Sequence, residues 1–535
     1  MNRIINFALL ALLVFIVFSM SLTPLRSDND AWWHLKTGKI LFDRDFHLPK
    51  NDVFAYTSES VPWHNHEWLS QVLFYCFFRF NDSSDQAGVR WVIFLKGLVL
   101  LSAYLLVFGL CLRETKSVPL AVFVSLWAFL LARRTIYPRP PVFSYLFLAG
   151  YLFLLRETST GRIGRRWLWI LPPLMILWVN LHGGFILGLI VVAAYLFAEA
   201  VRGLRKKKSI LDKTNLMNFS LLLSCFLCSL VNPYTYHLYF LPARVMGDIG
   251  LVRIIPELYS PDFFFTWSFE ALIIFLIIAF SLIKTRIITL EEGLLLVFFM
   301  HQGLQHVRHL PLIGIVAAPV CARLLARLDD EYIPKEMKRL SPLIMSGLCL
   351  CLAFYTVFNR REGGESFLDR NRRYFKGIGF YESNYLVREA DFIIANRFSG
   401  RMYNQINDAG YLIWRLSPEY HKVFTDSRYD IFGGRFMRQE QIIQNGIDIK
   451  RYPEDATWDE LLEKWNVNFI LISADAQVNP LLKESGKWKL VYHSLPPHAD
   501  SSRAGFKIYV RDIPENKDLI ARCLRSLPSM IPPAE

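Results

Sequence analysis

The chain has 535 residues, of which 53% are hydrophobic, 15% aromatic and only 20% charged, and its formal net charge is +13. A soluble enzyme of this length carries more charge, so the composition excludes that class and predicts a polytopic α-helical membrane protein. The positive charge requires no nucleic-acid partner, because cytoplasmic loops rich in Lys and Arg and contact with anionic lipid account for it.

Apolar segments near the span length of about 20 residues recur from the N-terminus to residue 358 and then stop. The first, residues 4–22, has no obvious small-residue cleavage site, so we expect a retained anchor rather than a signal peptide. Ten more spans are predicted, giving about eleven. They are 91–112, 118–132, 142–155, 168–180, 185–201, 216–231, 266–284, 290–304, 310–325 and 342–358.

The distribution of Arg and Lys predicts the orientation of these spans. Residues 156–166, 202–213 and 284–286 fall on one side of the membrane and carry clusters of positive charge, so that side is expected to be cytoplasmic. Starting from a cytoplasmic N-terminus, an odd number of spans places the C-terminal domain, residues 359–535, outside the cytoplasm. The membrane domain is predicted to cover residues 1–358.

The first outer loop, residues 23–90, is crowded with acidic, histidine and tryptophan side chains. Asp30 and His34 are four residues apart, so a helix that begins near Ser27 or Asp28 would place them on one face. A carboxylate beside an imidazole at a membrane boundary is suited to abstracting a proton or to holding a metal ion. Both are therefore candidate catalytic residues.

Two neighbouring motifs of this loop add candidates. Trp32 and Trp33 are typical either of an interfacial aromatic belt or of a surface on which a sugar stacks, and Trp33 is a candidate substrate contact. His66 and Glu67, in WHNHEWL, form either a polar network that holds the loop or part of a reaction site. The motif is not HExxH, so a zinc protease is not supported.

Three further outer connections contain basic or histidine side chains. The arginines of ARRTIYPRPP either extend to the lipid headgroups as an interfacial patch or bind the oxygens of a phosphate group. The histidine of WVNLHGGF is either a satisfied interfacial residue or a ligand contact, and ionisable groups at membrane depth, as in HQGLQHVRHLP, are functional candidates. The residues are Arg133, Arg134, Arg139, His182, His301, His306, Arg308 and His309.

The C-terminal domain is predicted to be a compact α/β domain with helices at 385–398 and 457–465. Cys523 is its only cysteine, so no internal disulfide is expected. The predicted strands are 401–405, 422–427, 468–473, 488–494 and 505–511, the last two as a hairpin.

Polar residues follow two of these strands, where they would serve either as substrate contacts or as helix caps. They are Asn407, Asp408, Gly410, Asp426, Ser427 and Arg428. The domain has no GxGxxG or Walker loop, so use of a nucleotide sugar there is not indicated.

Several strings carry a resemblance that covers most of the chain. They are DAWWHLKTG, VPWHNHEWLSQ, WVNLHGGF, VNPYTYHLY, ELYSPDF, VRHLPL and NDAGYLIWRLSPEYHKVFTDSRYDIFGG. They resemble a group of multi-pass bacterial membrane proteins that is placed with the C-type glycosyltransferase superfamily (GT-C). An acidic residue just after the first span and a C-terminal outer domain agree with that superfamily.

The resemblance implies transfer of a sugar from a polyprenyl-phosphate-linked donor at the outer face of the bacterial inner membrane, with a divalent metal ion optional. Asp30 takes the place of the family's first-loop base or positioner, and Asp28 is its competitor. His34, His66 and Glu67 would support it, and Arg139 and Arg308 would bind phosphate. Ala31 after Asp30 departs from the paired Asp-Glu signature of protein O-mannosyltransferases, which puts that activity in doubt.

Two other functions stay open. An O-antigen polymerase or ligase also handles lipid-linked glycans but relies on outer Arg and His residues without a first-loop carboxylate. A non-catalytic transport or scaffold protein of the envelope would use none of these residues chemically.

Overall fold

The computed structural model describes residues 2–26, 28–132, 135–207, 209, 212–262, 273, 276–277, 280, 287–332, 334, 340–358, 378–448, 456–494 and 505–526. Contacts divide the chain into two compact units. The helical unit comprises Met1–Pro24, His66–Tyr239 and Ile255–Gly379. The sheet unit comprises Leu25–Asn65, Phe240–Ile254 and Phe380–Glu535.

In the described residues, the helices of the helical unit lie where apolar segments predict spans, except for Trp68–Phe78, which lies in the predicted first outer loop. They are α1 (Asn2–Ser21), α3 (Trp68–Phe78), α4 (Asp85–Thr115), α5 (Val118–Ala132), α6 (Pro141–Ser159), α7 (Leu171–Leu181), α8 (Phe185–Arg205), α9 (Lys213–Ser229), α12 (Leu290–Gln305), α13 (Leu310–Tyr332) and α14 (Ser341–Phe358). Helix α2 (Asp30–Asp43) and the short helices α10 (Leu241–Gly247) and α11 (Ile249–Val252) belong to the sheet unit.

Within the described residues, four helical segments are long and apolar enough to cross a membrane. They are Arg3–Ser21, Asp85–Thr115, Phe185–Arg205 and Val307–Asp329. The chain is thus a membrane protein, but the predicted count of about eleven spans is not confirmed. The predicted span 266–284 lies almost entirely outside the described residues.

Local signals set the ends of the longest helix, α4. The Ser84 hydroxyl accepts a hydrogen bond from the backbone N–H of Ala87 at 3.2 Å, which satisfies one of the free donors of the first turn. Lys116 ends the helix in the left-handed region, with φ of 55°, and its N–H bonds to Leu112 O.

A closed ring of four charged side chains joins α4, α6, α12 and α13 at one end of the helical unit. Arg156 lies 2.9 Å from Glu114 and 3.2 Å from Glu292, and Arg323 lies 2.9 Å from Glu114 and also pairs with Glu292. The ring carries no net charge. Alternating pairing offsets the high cost of burying each ion, so the ring ties the four helices together.

The sheet unit contains a four-stranded sheet with strand order β1-β2-β4-β3. The strands are β1 (Arg401–Asn404), β2 (Val467–Ser473), β3 (Trp488–His493) and β4 (Phe506–Arg511). β1 and β2 are parallel, while β4 pairs antiparallel with both β2 and β3, which confirms the predicted closing hairpin. The remaining helices are α15 (Val387–Ala395), α16 (Ala409–Arg415), α17 (Tyr429–Gln444), α18 (Trp458–Lys464), α19 (Asn479–Glu484) and α20 (Lys517–Ser526).

The predicted strand 422–427 is wrong. The backbone of Val423 bonds instead to the first-loop segment, donating to Phe54 O at 2.9 Å and accepting from Tyr56 N at 3.1 Å. On its other side, the side chain of Asn404 bonds to Phe424 N and Thr425 O. A side-chain amide thus replaces the ladder that would have joined this segment to β1.

The first loop therefore shares a core with C-terminal residues, a grouping that the sequence did not predict. Trp32 is fully buried and meets the rings of Phe380, Tyr385 and Tyr411 edge-on. The interfacial-belt prediction is wrong for Trp32, because its ring has no surface left for lipid headgroups. The predicted domain boundary after residue 358 stays a prediction, since residues 359–377 lie outside the described ones.

A buried ion triad joins the same two segments. The Arg428 guanidinium lies 2.7 Å from Asp52 and 2.6 Å from Asp426, and all three side chains are almost completely buried. The Arg428 guanidinium also lies over the rings of Phe54 and Trp63. Burial alone would lower the pKa of Arg428, but the two carboxylates raise it above its ordinary value, so the guanidinium stays charged.

Arg428→Ala is expected to destabilise the protein by about 3–5 kcal/mol, because two buried carboxylates lose their counter-ion. Thermal unfolding of the purified full-length protein in detergent measures the loss. Lys422→Ala is the matched control, since Lys422 bonds to Glu59 across the same two segments at 2.9 Å but on the surface. That variant is expected to lose less than about 1 kcal/mol. Equal losses in the two variants would contradict the role of the triad.

Candidate functional site

The helical unit brings together three side chains from two of the sequence motifs. His66 Nε2 lies 3.6 Å from Glu67 Oε1, and His182 Nε2 lies 3.7 Å from the same oxygen. The Glu67 side chain is 14% exposed and both imidazoles are 22% exposed, so the group is largely shielded but reachable. A carboxylate between two imidazoles is an arrangement suited to holding or moving a proton.

The chain places this group by joining the ends of two helices. Glu67 is the residue before α3, and the Ser70 hydroxyl donates to Glu67 O at 2.7 Å. At the next position, Trp68 Nε1 donates to Asn180 Oδ1 at 2.8 Å, near the end of α7. This hydrogen bond links WHNHEWL to WVNLHGGF and holds Glu67 beside His182.

His182 ends α7 in extended conformation, and its Nδ1 lies 2.7 Å from the Ser144 hydroxyl. Burial, with smaller contributions from His66, Arg308 and His309, lowers the pKa of His182 to about 3. The imidazole is therefore neutral near neutral pH. Ser144 was not predicted from the sequence, because an isolated serine within the apolar segment 142–155 carries no functional signal.

Two arginines predicted to bind phosphate lie in the same unit. Arg139 Nη1 lies 3.2 Å from Glu257 Oε1, and its guanidinium stacks on the ring of Tyr137. Arg308 is close enough to Glu257 and Glu67 to interact with both electrostatically. Glu257 therefore interacts with both predicted phosphate ligands, a role that the sequence did not reveal.

Hydrogen bonds to the backbone carbonyl oxygens that follow Glu257 hold its segment in place. His306 Nδ1 bonds to Leu258 O at 2.8 Å, and Val307 N donates to Tyr259 O at 2.9 Å. The ring of His309 packs edge-on against that of His306. His301 is exposed on α12. Arg133 and Arg134 lie outside the described residues.

In the sheet unit, Asp30 is the first residue of α2, with Asn29 in the capping position rather than the predicted Ser27 or Asp28. Asp30 is half-buried, and its carboxylate accepts a hydrogen bond from the Ser427 hydroxyl. Asp28 is 2% exposed and accepts from the Asp30 backbone N–H. Asp30 is therefore the more exposed of the two carboxylates, and its catalytic role stays a prediction.

His34 and Trp33 lie deeper than expected for residues that meet a substrate. They are 3% and 7% exposed, and their rings stack with centroids 3.7 Å apart. Their roles as catalytic support and sugar contact stay predictions.

The polar residues that were predicted to follow two strands lie in different environments. The carboxylate of Asp426 is engaged in the buried triad with Arg428, so it acts neither as a cap nor as a surface contact. The Asn29 side chain donates to Asn407 O, and a Cβ on Gly410 would lie 1.8 Å from Asn29 O. Only glycine permits this close approach, which holds the segment that carries Asp30.

In the described part of the chain, no group of three or more His, Cys, Asp or Glu side chains is arranged to hold a metal ion.

No protein-family model matches the chain, and no curated protein is found as a relative. Solved structures do match. The oligosaccharyltransferase of Archaeoglobus fulgidus tethered to an acceptor peptide is 14% identical, with a TM-score of 0.53 over 87% of this chain and 69% of that one. The same archaeal enzyme, AglB, with an inhibitory peptide and a dolichol-phosphate is 13% identical, with a TM-score of 0.53 over 95% and 75%.

ArnT from Cupriavidus metallidurans bound to undecaprenyl phosphate is 13% identical, with a TM-score of 0.43 over 94% of this chain and 97% of that one. The two oligosaccharyltransferase likenesses show the fold. This chain shares the membrane-protein fold of that archaeal oligosaccharyltransferase.

The lowered pKa of His182 predicts a specific acid sensitivity. Because the folded-state pKa, about 3, lies below the ordinary value of 6.5, the stability that it contributes is present above about pH 6.5 and is lost as the pH falls towards 3. Between about pH 7 and pH 5 the wild type is expected to lose about 2 kcal/mol that His182→Gln does not lose. Thermal unfolding at both pH values measures this difference. The exposed His237, replaced by Gln, is the control and should keep the wild-type pH dependence.

Proposed function

We propose that this protein is a membrane glycosyltransferase that moves a sugar from a polyprenyl-phosphate-linked donor to an envelope acceptor at the outer face of the bacterial inner membrane. The observation that carries the proposal is the group formed by Glu67, His66 and His182 beside Arg308 in a GT-C fold. The C-terminal domain lies outside the cytoplasm in this proposal.

The basic side chains of the helical unit match a lipid-linked phosphate. Arg308 and Arg139 offer forked donors that suit phosphate oxygens, and Arg keeps its charge when partly buried. Both interact with Glu257, whose carboxylate is an anion of similar charge. In our proposal the phosphate of the donor displaces Glu257 from the two arginines. The dolichol-phosphate in one AglB structure supports a lipid phosphate as the anchor of the donor.

The transfer itself requires a carboxylate. The acceptor oxygen attacks the anomeric carbon, the bond from that carbon to the phosphate oxygen breaks, and the lipid phosphate leaves with the electron pair. The proton of the acceptor passes to a carboxylate base within hydrogen-bond reach. We assign this role to Asp30, as base or positioner, and assign Glu67, His66 and His34 as supporting residues.

One observation favours the alternative of an O-antigen polymerase or ligase. Glu67, the two imidazoles and Arg308 form a group within the helical unit that requires no residue of the first-loop helix α2. The two functions differ in whether the carboxylate of Asp30 is needed.

Asp30→Asn tests that difference, because Asn keeps an acceptor for the Ser427 hydroxyl but cannot take a proton. We expect sugar transfer to fall by about 10²–10⁴-fold with normal membrane insertion. Mass spectrometry of envelope glycans, compared with a deletion strain, measures the output. The control is Asp43→Asn, an exposed carboxylate at the other end of α2. Unchanged glycan output in Asp30→Asn would remove Asp30 from the mechanism and favour the polymerase or ligase. If variants at Glu67 and Arg308 also kept full activity, the protein would be a scaffold.

Binding of a short-chain polyprenyl phosphate to the purified protein tests the phosphate ligands. Arg308→Gln is expected to weaken binding by about 10- to 100-fold, the equivalent of one charged hydrogen bond. Glu257→Gln should strengthen binding several-fold, because a competing carboxylate is removed. Arg113→Gln is the control, since Arg113 pairs with Glu157 at the charged-ring end of the unit. Unchanged affinity in both site variants would reject these arginines as phosphate ligands.

A further inference from the structure

The side chain of His182 makes two hydrogen bonds through the same ring nitrogen. The backbone N–H of Gly184 points to Nδ1 at 3.0 Å, and the Ser144 hydroxyl lies 2.7 Å from Nδ1. On its other side, Ser144 Oγ accepts from Trp178 Nε1 at 2.7 Å. The three side chains lie in a single hydrogen-bonded row, and Trp178 and Ser144 are buried.

Counting donors assigns a direction to every bond in this row. A backbone N–H can only donate, so Nδ1 of His182 must accept and cannot carry a proton. The indole N–H of Trp178 likewise only donates, so Ser144 accepts from it and turns its own hydrogen towards Nδ1. The neutral ring therefore carries its proton on Nε2, the nitrogen that lies 3.7 Å from Glu67 Oε1.

The packing around His182 requires glycine at position 184 and leaves little room for a side chain at position 183. A Cβ on Gly184 would lie 2.4 Å from Ser144 Oγ and 2.9 Å from His182 Nδ1, and one on Gly183 would lie 3.2 Å from the His66 ring. Any larger residue at 184 would push the serine or the imidazole away. The motif thus shapes the surroundings of His182 as well as turning the chain.

We propose that Ser144 is a positioning residue which, with the Gly184 amide, holds His182 as a neutral Nε2–H donor, so that His182 gives a hydrogen bond to the anionic group of the substrate and does not act as a base. The depressed pKa of His182 agrees, since the ring resists protonation. A neutral imidazole with a defined tautomer can stabilise a developing negative charge. Identification of that anion as the leaving phosphate of a lipid-linked donor rests on the proposed function; the tautomer does not.

The tautomer is tested directly by nitrogen NMR of the full-length protein labelled with ¹⁵N-histidine in lipid nanodiscs, with the His182 signals assigned by their loss in His182→Gln. We expect a pyridine-type signal from Nδ1 and a pyrrole-type signal from Nε2 between about pH 6 and pH 8. A protonated Nδ1, or an imidazolium at about pH 6, would overturn the proposal.

The role of Ser144 is tested by Ser144→Ala, with Ser144→Thr as the variant that keeps the hydroxyl. Ser144→Ala should shift the Nδ1 signal, because one donor is lost, and lower the turnover number for sugar transfer about tenfold with little change in KM. Ser144→Thr should restore both. Ser125→Ala is the matched control, since this buried serine bonds to Ala121 O in its own helix. Thermal unfolding confirms that each variant is folded.

The two readouts separate the two proposals. If Ser144→Ala leaves both the Nδ1 signal and the turnover unchanged, or if Thr does not restore them in a folded protein, Ser144 is not a positioning residue. If the tautomer and its dependence on Ser144 are as expected but the wild type transfers no sugar, the hydrogen-bonded row stands and the proposed function fails.

Discussion

A charge moved out of water costs several kcal/mol unless an opposite charge or hydrogen bonds compensate it, and this constraint organises both units. In the helical unit, Glu114, Arg156, Glu292 and Arg323 alternate in a ring that leaves no net charge. In the sheet unit, Arg428 is neutralised by Asp52 and Asp426, which come from distant parts of the chain. Removing one member of a set leaves a buried charge without its counter-ion, so each set helps to hold its segments together.

The candidate site satisfies the same constraint differently. Glu67 lies between two imidazoles, and burial holds one of them, that of His182, neutral. Arg139 is paired with Glu257, a half-exposed carboxylate on a short segment whose backbone carbonyls accept hydrogen bonds from His306 Nδ1 and Val307 N. A ligand can replace a half-exposed partner such as Glu257 at a lower free-energy cost than it could replace a carboxylate of the buried ring. This difference separates groups that hold the fold from groups that we propose to meet a substrate.

The fold and the candidate site support the proposed function in different ways. Likeness to an archaeal oligosaccharyltransferase at 13–14% identity shows the architecture and nothing about individual residues. The proposed glycosyl transfer rests on particular side chains. Glu67 lies beside two imidazoles, and we propose Arg139 and Arg308 as phosphate ligands. Asp30 lies at the start of α2, where its carboxylate accepts a hydrogen bond from Ser427. The Trp68–Asn180 hydrogen bond and the close packing of Gly183 on His66 explain how two motifs more than 100 residues apart form one site.

Features that depend only on neighbouring residues along the chain could be predicted from the sequence. Apolar runs placed the helices, alternating residues placed the hairpin β3–β4, and the pattern of reactive side chains singled out His66, Glu67, His182, Arg139 and Arg308, because hydropathy, backbone preference and charge are local properties. Tertiary structure alone decided which distant groups meet. It buried Trp32, drew residues 422–427 away from the sheet to the first loop, and brought Ser144, Trp178 and Glu257 into the site. A serine in an apolar helix or a glutamate in a loop acquires its role only from the partner that packing places within hydrogen-bond distance, and that partner leaves no mark in the local sequence.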